Sequence, residues 1–525
     1  MHISNTQPRP PMLNDAIKLF QDGKLDEAEE ALNTVLAGYG PSADAYEGLA
    51  RIAGRRGEIQ KSAELASTAA SLPGASYDVF ELAGMANKLC GNFEAALSNY
   101  EHCRQLKPGH IPLLSEYADV ASSLGRHQEA EGIIEGALKY NPRVAALHYA
   151  RGRILGNQGR YAQEIAAYQA AIAVDPRFVD AYINAGVAYR ELGQFEDALS
   201  MFKRAINIDP QCTAARNNRA QTNLRLQRFE HGWIEYEWRW RDGVQTPPHA
   251  SPPWLGAQAI AGKTLLIHAE QGFGDTLQFI RYVLLLLDSG AELIVQVQPL
   301  LVRLIAAQLP GVTVKSTQDS VESFDHHVPL MSLPLALFKR ERGIPSGVPY
   351  IQADEHKVVA LRERFRDGHS TGLRVGLVWS GSRKFHNDVR VARLSDFMPI
   401  LDQPCWFVSL QKDVPDEDAP LLASLANVQD WRNLMGDFSD TAALLATLDV
   451  IITIDTAIAH LAGAMGLEVW TLLATQSDWR WHRDHSRSAW YPTMSLFRQS
   501  AAGDWTPVVQ AIAARLRAQS TFVLQ

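Results

Sequence analysis

The stretch RFVDAYINAGVAYRELGQFEDALSMFKRAINIDP, residues 177–210, ends on a proline 34 residues after Pro176. Pro108 and Pro142 precede it at the same step, and Gly91, Gly125, Gly159 and Gly193 keep that step too. A repeat of this length is one pair of helices. It cannot bury its apolar face alone, so successive pairs stack and leave a grooved surface suited to holding another polypeptide. Gly84, Ala118, Gly152 and Gly186 form a small column, where the first helix of each pair admits a close neighbour. Tyr100, Ile134, Tyr168 and Phe202 form a bulky column, expected to fill the gap between hairpins. Ala96, Ala130 and Ala198 form a second small column, which Glu164 interrupts. Cys103, Ala137, Ala171 and Ala205 each precede a proline by five residues. Proline has no N–H and clashes with a continuing helix, so it ends each pair.

Looser copies occupy 12–42 and 43–76, with Gly23 and Gly57 in phase. A last, degenerate copy runs from Thr213 to about Asp242 and contains HGWIEYEWRWRD, with Trp233, Tyr236, Trp238 and Trp240. It reads as a cap packed on the next domain; the other reading is an aromatic platform for a ligand. The pattern over 12–241 resembles the tetratricopeptide repeat (TPR) family, which implies an α-solenoid that binds a protein partner. Asn184 and Asn218 stand one period apart. An inner-face asparagine can donate to and accept from a peptide backbone, which makes both candidate acceptor-binding residues. The alternative is that asparagine is simply common at this position.

The chain has 525 residues, enough for several domains with large cores. Its formal charge of −8 argues against a general nucleic-acid binder. Cys90, Cys103, Cys212 and Cys405 form no CxxC pair and are too sparse for a disulfide framework. The opening residues lack a basic start followed by an apolar core, and the apolar run Tyr282 to Leu287 is too short to span a bilayer. The expectation is a cytoplasmic protein without a membrane span.

Residues 242–260, with Pro247, Pro248, Pro252 and Pro253, read as a linker. Beyond it, short apolar runs alternate with helical patterns: 264–269, 292–297, 312–316, 374–380, 405–410, 449–455 and 468–473. That alternation predicts parallel sheets covered on both faces. We divide the region into two doubly wound, Rossmann-like halves, 261–350 and 371–520. Ligands of such sheets bind at the carboxyl ends of the strands.

Three segments meet that rule. In HAEQGFGDTLQF, residues 268–279, Gly272 and Gly274 permit a tight turn and Asp275 opens a helix with Gln278 three residues on. Asp275 is either a capping residue or a general base. In DTAIAHLAGAMG, residues 455–466, Asp455 and Thr456 stand at a helix start and His460 follows one turn later. Free N–H groups and the helix dipole there favour a phosphate; alternatively Asp455 is a cap and His460 a packed residue. In WSGSRKFHNDVR, residues 379–390, Ser380, Gly381 and Ser382 suit a phosphate-holding turn, and Lys384 and Arg390 carry compensating charge. An ordinary solvated loop is the other reading.

Together these segments resemble glycosyltransferases of the heptosyltransferase type, whose GT-B architecture sets two Rossmann-like halves across a cleft. The resemblance implies that Gly274-Asp275 supplies the catalytic base. It implies that Asp455, Thr456 and His460 belong to the donor half, with Ala457 where that family has glycine. Ser380 to Lys384 corresponds loosely to the family's donor-binding turn. The join of repeats to such a half resembles bacterial repeat-containing glycosyltransferases, some of which modify flagellin with nonulosonic acids. The implied activity is inverting, metal-independent transfer to Ser or Thr of a protein acceptor. Flagellin is the implied acceptor, and a CMP-activated nonulosonic acid of the pseudaminic type is the implied co-substrate, with no cofactor. The segment SDWRWHRDHSRSAWYPTMSLFRQ, residues 477–499, resembles the same group. Its Arg480, Arg483 and Arg487 are candidates for a donor phosphate or sugar carboxylate, and Trp479, Trp481 and Trp490 for flanking a ring; an aromatic core is the alternative. Two other readings stay open: a heptosyltransferase-like enzyme of lipopolysaccharide or glycan assembly, and a non-catalytic scaffold. Asp416-Glu417-Asp418 matches a DxD metal motif but sits in an acidic, proline-flanked loop. His482 and His485 lack a partner completing a metal site. No metal is expected.

Overall fold

Six glycines at one phase, Gly23, Gly57, Gly91, Gly125, Gly159 and Gly193, all take φ between +69° and +79° in the computed structural model. A side chain costs about 1–2 kcal/mol in that left-handed region, which is why the turn inside each helix pair holds glycine. The structure describes residues 11–241, 249, 251–345, 347–366, 372–381, 391–482 and 485–523. Up to Cys212 the chain is one compact unit of helix pairs. The first pair is Pro11–Gln21 with Leu25–Tyr39, and the last is Val179–Glu191 with Phe195–Ile208.

The small and bulky columns meet inside each hairpin, not between hairpins as expected. A Cβ on Gly84 would lie 2.3 Å from the Tyr100 ring; on Gly152, 2.4 Å from Tyr168; on Gly186, 2.5 Å from Phe202. Each glycine therefore lets the ring of its partner helix lie against bare backbone. Glu164 fits the alanine column because Gly156 faces it: a Cβ there would meet the carboxylate at 2.7 Å. Burial pushes the Glu164 carboxyl up to about 7.

The second compact unit begins at Thr213. The hairpin Thr213–Arg225 and Phe229–Tyr236, expected to end the solenoid, thus packs with the sheets. Its aromatics explain this. Trp233 is buried, edge-on to Phe279 and Trp479 at ring separations of 5.8 and 5.6 Å. Arg239 donates to both Glu270 oxygens at 2.7 and 2.9 Å. A buried Trp233 and Tyr236 fit the cap reading. At the turn of this hairpin, Gln227 stands where the earlier copies have glycine, at φ +57°.

The first sheet contains β1 (Thr264–His268), β2 (Glu292–Val297), β3 (Thr313–Ser316) and β4 (His326–Pro329), in the order β3-β2-β1-β4. The second contains β5 (Arg374–Val378), β6 (Trp406–Ser409), β7 (Val428–Asp430), β8 (Val450–Ile454), β9 (Val469–Leu473) and β10 (Met494–Arg498), in the order β10-β9-β8-β5-β6-β7. All named strand pairs are parallel. Along β8 the side chains alternate between two cores. Ile451 joins the core that includes the first sheet, and Ile452 joins one with Trp470 and the closing helix Thr506–Val523. Arg281 is buried where the halves meet. It donates to the Trp490 carbonyl at 3.1 Å and the Tyr350 hydroxyl at 2.9 Å, and it lies over the Tyr491 ring.

Candidate functional site

The carboxyl ends of strands from both sheets open onto one cavity of about 680 Å³. The first sheet supplies Gln271, Gly272, Phe273 and Gly274 after β1, and Gln298 after β2. The second supplies Ser380 and Gly381 after β5, Lys412 after β6, and Asp455, Thr456 and Ala457 after β8. Parallel strands make this possible because all of them end on the same edge of their sheet.

Asp275 lies at the third position of the helix Phe273–Phe279, not at its opening as expected. Its Oδ2 accepts from the Gly272 N–H at 2.9 Å, so the carboxylate does close the helix start. Gln278 plays no part in that closure; its Oε1 accepts from Arg480 Nε at 2.6 Å. Asp275 Oδ1 accepts from Arg480 Nη2 at 2.5 Å, across 205 residues of chain. Burial raises the Asp275 carboxyl above its usual range, against the pull of the Arg480 guanidinium. Asp275 itself is not among the lining residues of the cavity, whereas its neighbours Phe273 and Gly274 are.

Arg480 is buried, with Nη1 on Asp478 Oδ1 at 2.8 Å. It meets Asp275 and Asp478 rather than the open cavity. Trp479, Trp481 and Trp490 are all buried, which fits the core reading of that segment.

Thr456 is the N-cap residue of the helix Ala457–Ala464 but makes no side-chain cap hydrogen bond. Its Oγ1 lies 3.0 Å from that of Thr453. The first-turn N–H groups of a helix so started attract anions. His460 is buried in the same helix, with Nδ1 2.9 Å from the Tyr491 hydroxyl and its ring 5.1 Å from that of Trp481. Burial holds the imidazole neutral, down to about 3. A Cβ on Gly274 would lie 2.7 Å from His460 Cδ2, so that glycine lets the two halves touch. His460 therefore braces the site rather than lining it.

Ser380 and Gly381 line the cavity. Ser382, Lys384 and Arg390 lie outside the described residues. Gln411, which the sequence did not single out, clamps the β5 turn: Oε1 accepts from the Trp379 and Ser380 N–H groups at 3.2 and 3.0 Å. Lys412 was also missed. Among the described residues it is the one basic side chain lining the cavity, and its Nζ donates to the Met435 carbonyl at 2.5 Å. Its signal was a lysine two residues past a predicted strand. Asp418 is structural: it accepts from Trp379 Nε1 at 2.8 Å and the Leu394 N–H at 3.2 Å. In the repeats, Asn184 donates to the Tyr149 hydroxyl at 2.9 Å, and Asn218 to the Ala214 carbonyl of its own helix at 2.9 Å.

Residues 179–212 match a tetratricopeptide repeat family, and residues 14–76 and 118–182 match a second family of that description. The chain carries tetratricopeptide repeats. This TPR chain is similar to Protein FlbA of Caulobacter vibrioides, 27% identical over 328 residues, which are 57% of this chain and 54% of that protein. It thus spans about half the length of that relative. Among solved structures, a tetratricopeptide repeat protein from Parabacteroides merdae is 17% identical, with a TM-score of 0.41 over 45% of this chain and 93% of its own. YrrB, described as a TPR protein with an unusual peptide-binding site, is 22% identical, with a TM-score of 0.27 over 36% of this chain and 96% of its own. Among the described residues, no helix is long and apolar enough to cross a membrane.

Proposed function

We propose that this chain is a cytoplasmic protein O-glycosyltransferase of GT-B plan. Its repeats hold a protein acceptor, and its paired sheets bind a nucleotide-activated sugar. The observation that carries this reading is the shared cavity, lined by Gly272 to Gly274 of one half and Asp455 to Ala457 of the other. Flagellin as the acceptor follows from the family resemblance. A CMP-activated nonulosonic acid as donor follows from the family resemblance.

In this scheme Asp275 takes the proton of a Ser or Thr hydroxyl. The oxygen bonds to the anomeric carbon as the bond from that carbon to the phosphate oxygen breaks, which inverts the configuration. Burial favours the base role by raising the carboxyl's proton affinity. Arg480 holds that carboxylate in place beside the helix start. The start of the helix Ala457–Ala464 and the Lys412 ammonium stabilise the departing phosphate, and the scheme uses no metal.

The test is intact-mass spectrometry of flagellin incubated with purified protein and sugar nucleotide, paired with calorimetry of nucleotide binding. We expect a sugar-sized mass increment that Asp275→Asn abolishes while nucleotide binding persists. Full transfer by that variant would remove Asp275 from the base role. Absence of any sugar-nucleotide binding by the native protein would remove the enzyme reading itself.

A further inference from the structure

His249, His268 and His327 bring three imidazoles together away from the cavity, none of them among its lining residues. His268 ends β1 and His327 lies on the adjacent β4, offset by two residues and hence on the same face of the sheet. His249 comes from the segment preceding the first sheet and is half-buried. One nitrogen from each ring lies within 4.8 Å of the others, and His268 Nε2 and His327 Nδ1 are 3.2 Å apart. Around a tetrahedral zinc ion, bonded to imidazole nitrogens at about 2.0–2.1 Å, neighbouring nitrogens sit about 3.3–3.4 Å apart. The inner pair already has that spacing, and rotation of the partly exposed His249 ring would close the third contact.

Two further features suit a metal. The far nitrogen of His327, Nε2, lies 2.8 Å from the Ser251 carbonyl. That is the outer hydrogen bond that fixes the tautomer of a metal-binding histidine and leaves Nδ1 with its lone pair facing inward. Second, His268 and His327 are each 2% exposed, so their facing nitrogens are shielded from water.

We propose that His249, His268 and His327 bind one divalent transition-metal ion of the zinc class, leaving a fourth position open. The ion ties the segment before the first sheet to the adjacent strands β1 and β4. The chain contains 16 histidines, so the experiment must separate this site from adventitious binding.

The full-length protein is stripped with chelator and titrated with Co²⁺, followed by its visible absorption and by calorimetry. We expect one tight equivalent with the intense band of four-coordinate cobalt, and displacement of it by Zn²⁺. His249→Ala leaves the inner ring pair in place and should weaken Co²⁺ binding by at least about tenfold. His249→Cys should add a thiolate-to-cobalt charge-transfer band, because such a band arises only when residue 249 touches the metal. A six-coordinate spectrum, equal affinity in the native protein and His249→Ala, or no charge-transfer band in His249→Cys would each overturn the site.

Discussion

Glu164→Gln tests the energetics of the repeats most directly. The Glu164 side chain is buried against Gly156, its Oε2 has no hydrogen-bond partner, and Ala28, Ala96, Ala130 and Ala198 stand at this place in other repeats. Burial carries its carboxyl from the ordinary 4.5 to about 7. The folded state therefore keeps a proton that the unfolded chain releases between those values. Unfolding then releases that proton, so stability falls as pH rises through the window and stays reduced above it. Each pKa unit is worth about 1.4 kcal/mol, which sets an upper value of roughly 3 kcal/mol. Residual solvent access trims this to about 2 kcal/mol. Glutamine has the shape of the protonated acid and does not titrate. At pH 4.5 the variant and native protein should match. At pH 8 the variant should be more stable by about 2 kcal/mol, or roughly 30-fold slower amide exchange in the helices Ala145–Asn157 and Tyr161–Val174. Hydrogen exchange read by mass spectrometry on the full chain reports that pair alone, as suits a stack whose stability is a sum over neighbours. A variant-to-native ratio that stays constant from pH 4.5 to 8 would refute the argument.

Three other substitutions have expected outcomes. Gly274→Ala forces a methyl to within 2.7 Å of a His460 ring already held by Tyr491 and Trp481, so denaturant unfolding followed by tryptophan fluorescence should show about 1–3 kcal/mol of destabilisation. Gln227→Gly relieves a left-handed residue but frees the unfolded chain, so a net gain of a few tenths to 1 kcal/mol is expected from the same measurement. Arg281→Met strands the Trp490 carbonyl and vacates a buried space, at a cost of about 2–4 kcal/mol; an unchanged midpoint would contradict its role in joining the halves.

What could be read in advance was whatever repeats over short distances. The 34-residue step gave the helix pairs and their glycine turns, because backbone conformation at Gly193 depends on a handful of neighbours. Seven apolar runs predicted β1, β2, β3, β5, β6, β8 and β9. The remaining strands, β4, β7 and β10, read HHVP, VQD and MSLFR, where polar residues interrupt the apolar ones, so no hydrophobic run announced them. In the site, the turns after β1, β5 and β8 were legible because parallel sheets place ligands at that edge.

Only tertiary structure decided which charges and rings meet. Nothing local says that Arg480 spends its guanidinium on Asp275, or that His268 and His327 converge with His249. The last helix pair was legible as a cap on the next domain, but which residues it meets was not; the packing of Trp233 against Phe279 and Trp479 decides it. Periodicity is written in neighbouring residues, whereas these pairings depend on how separate faces are packed together, and a single sequence carries no period for that.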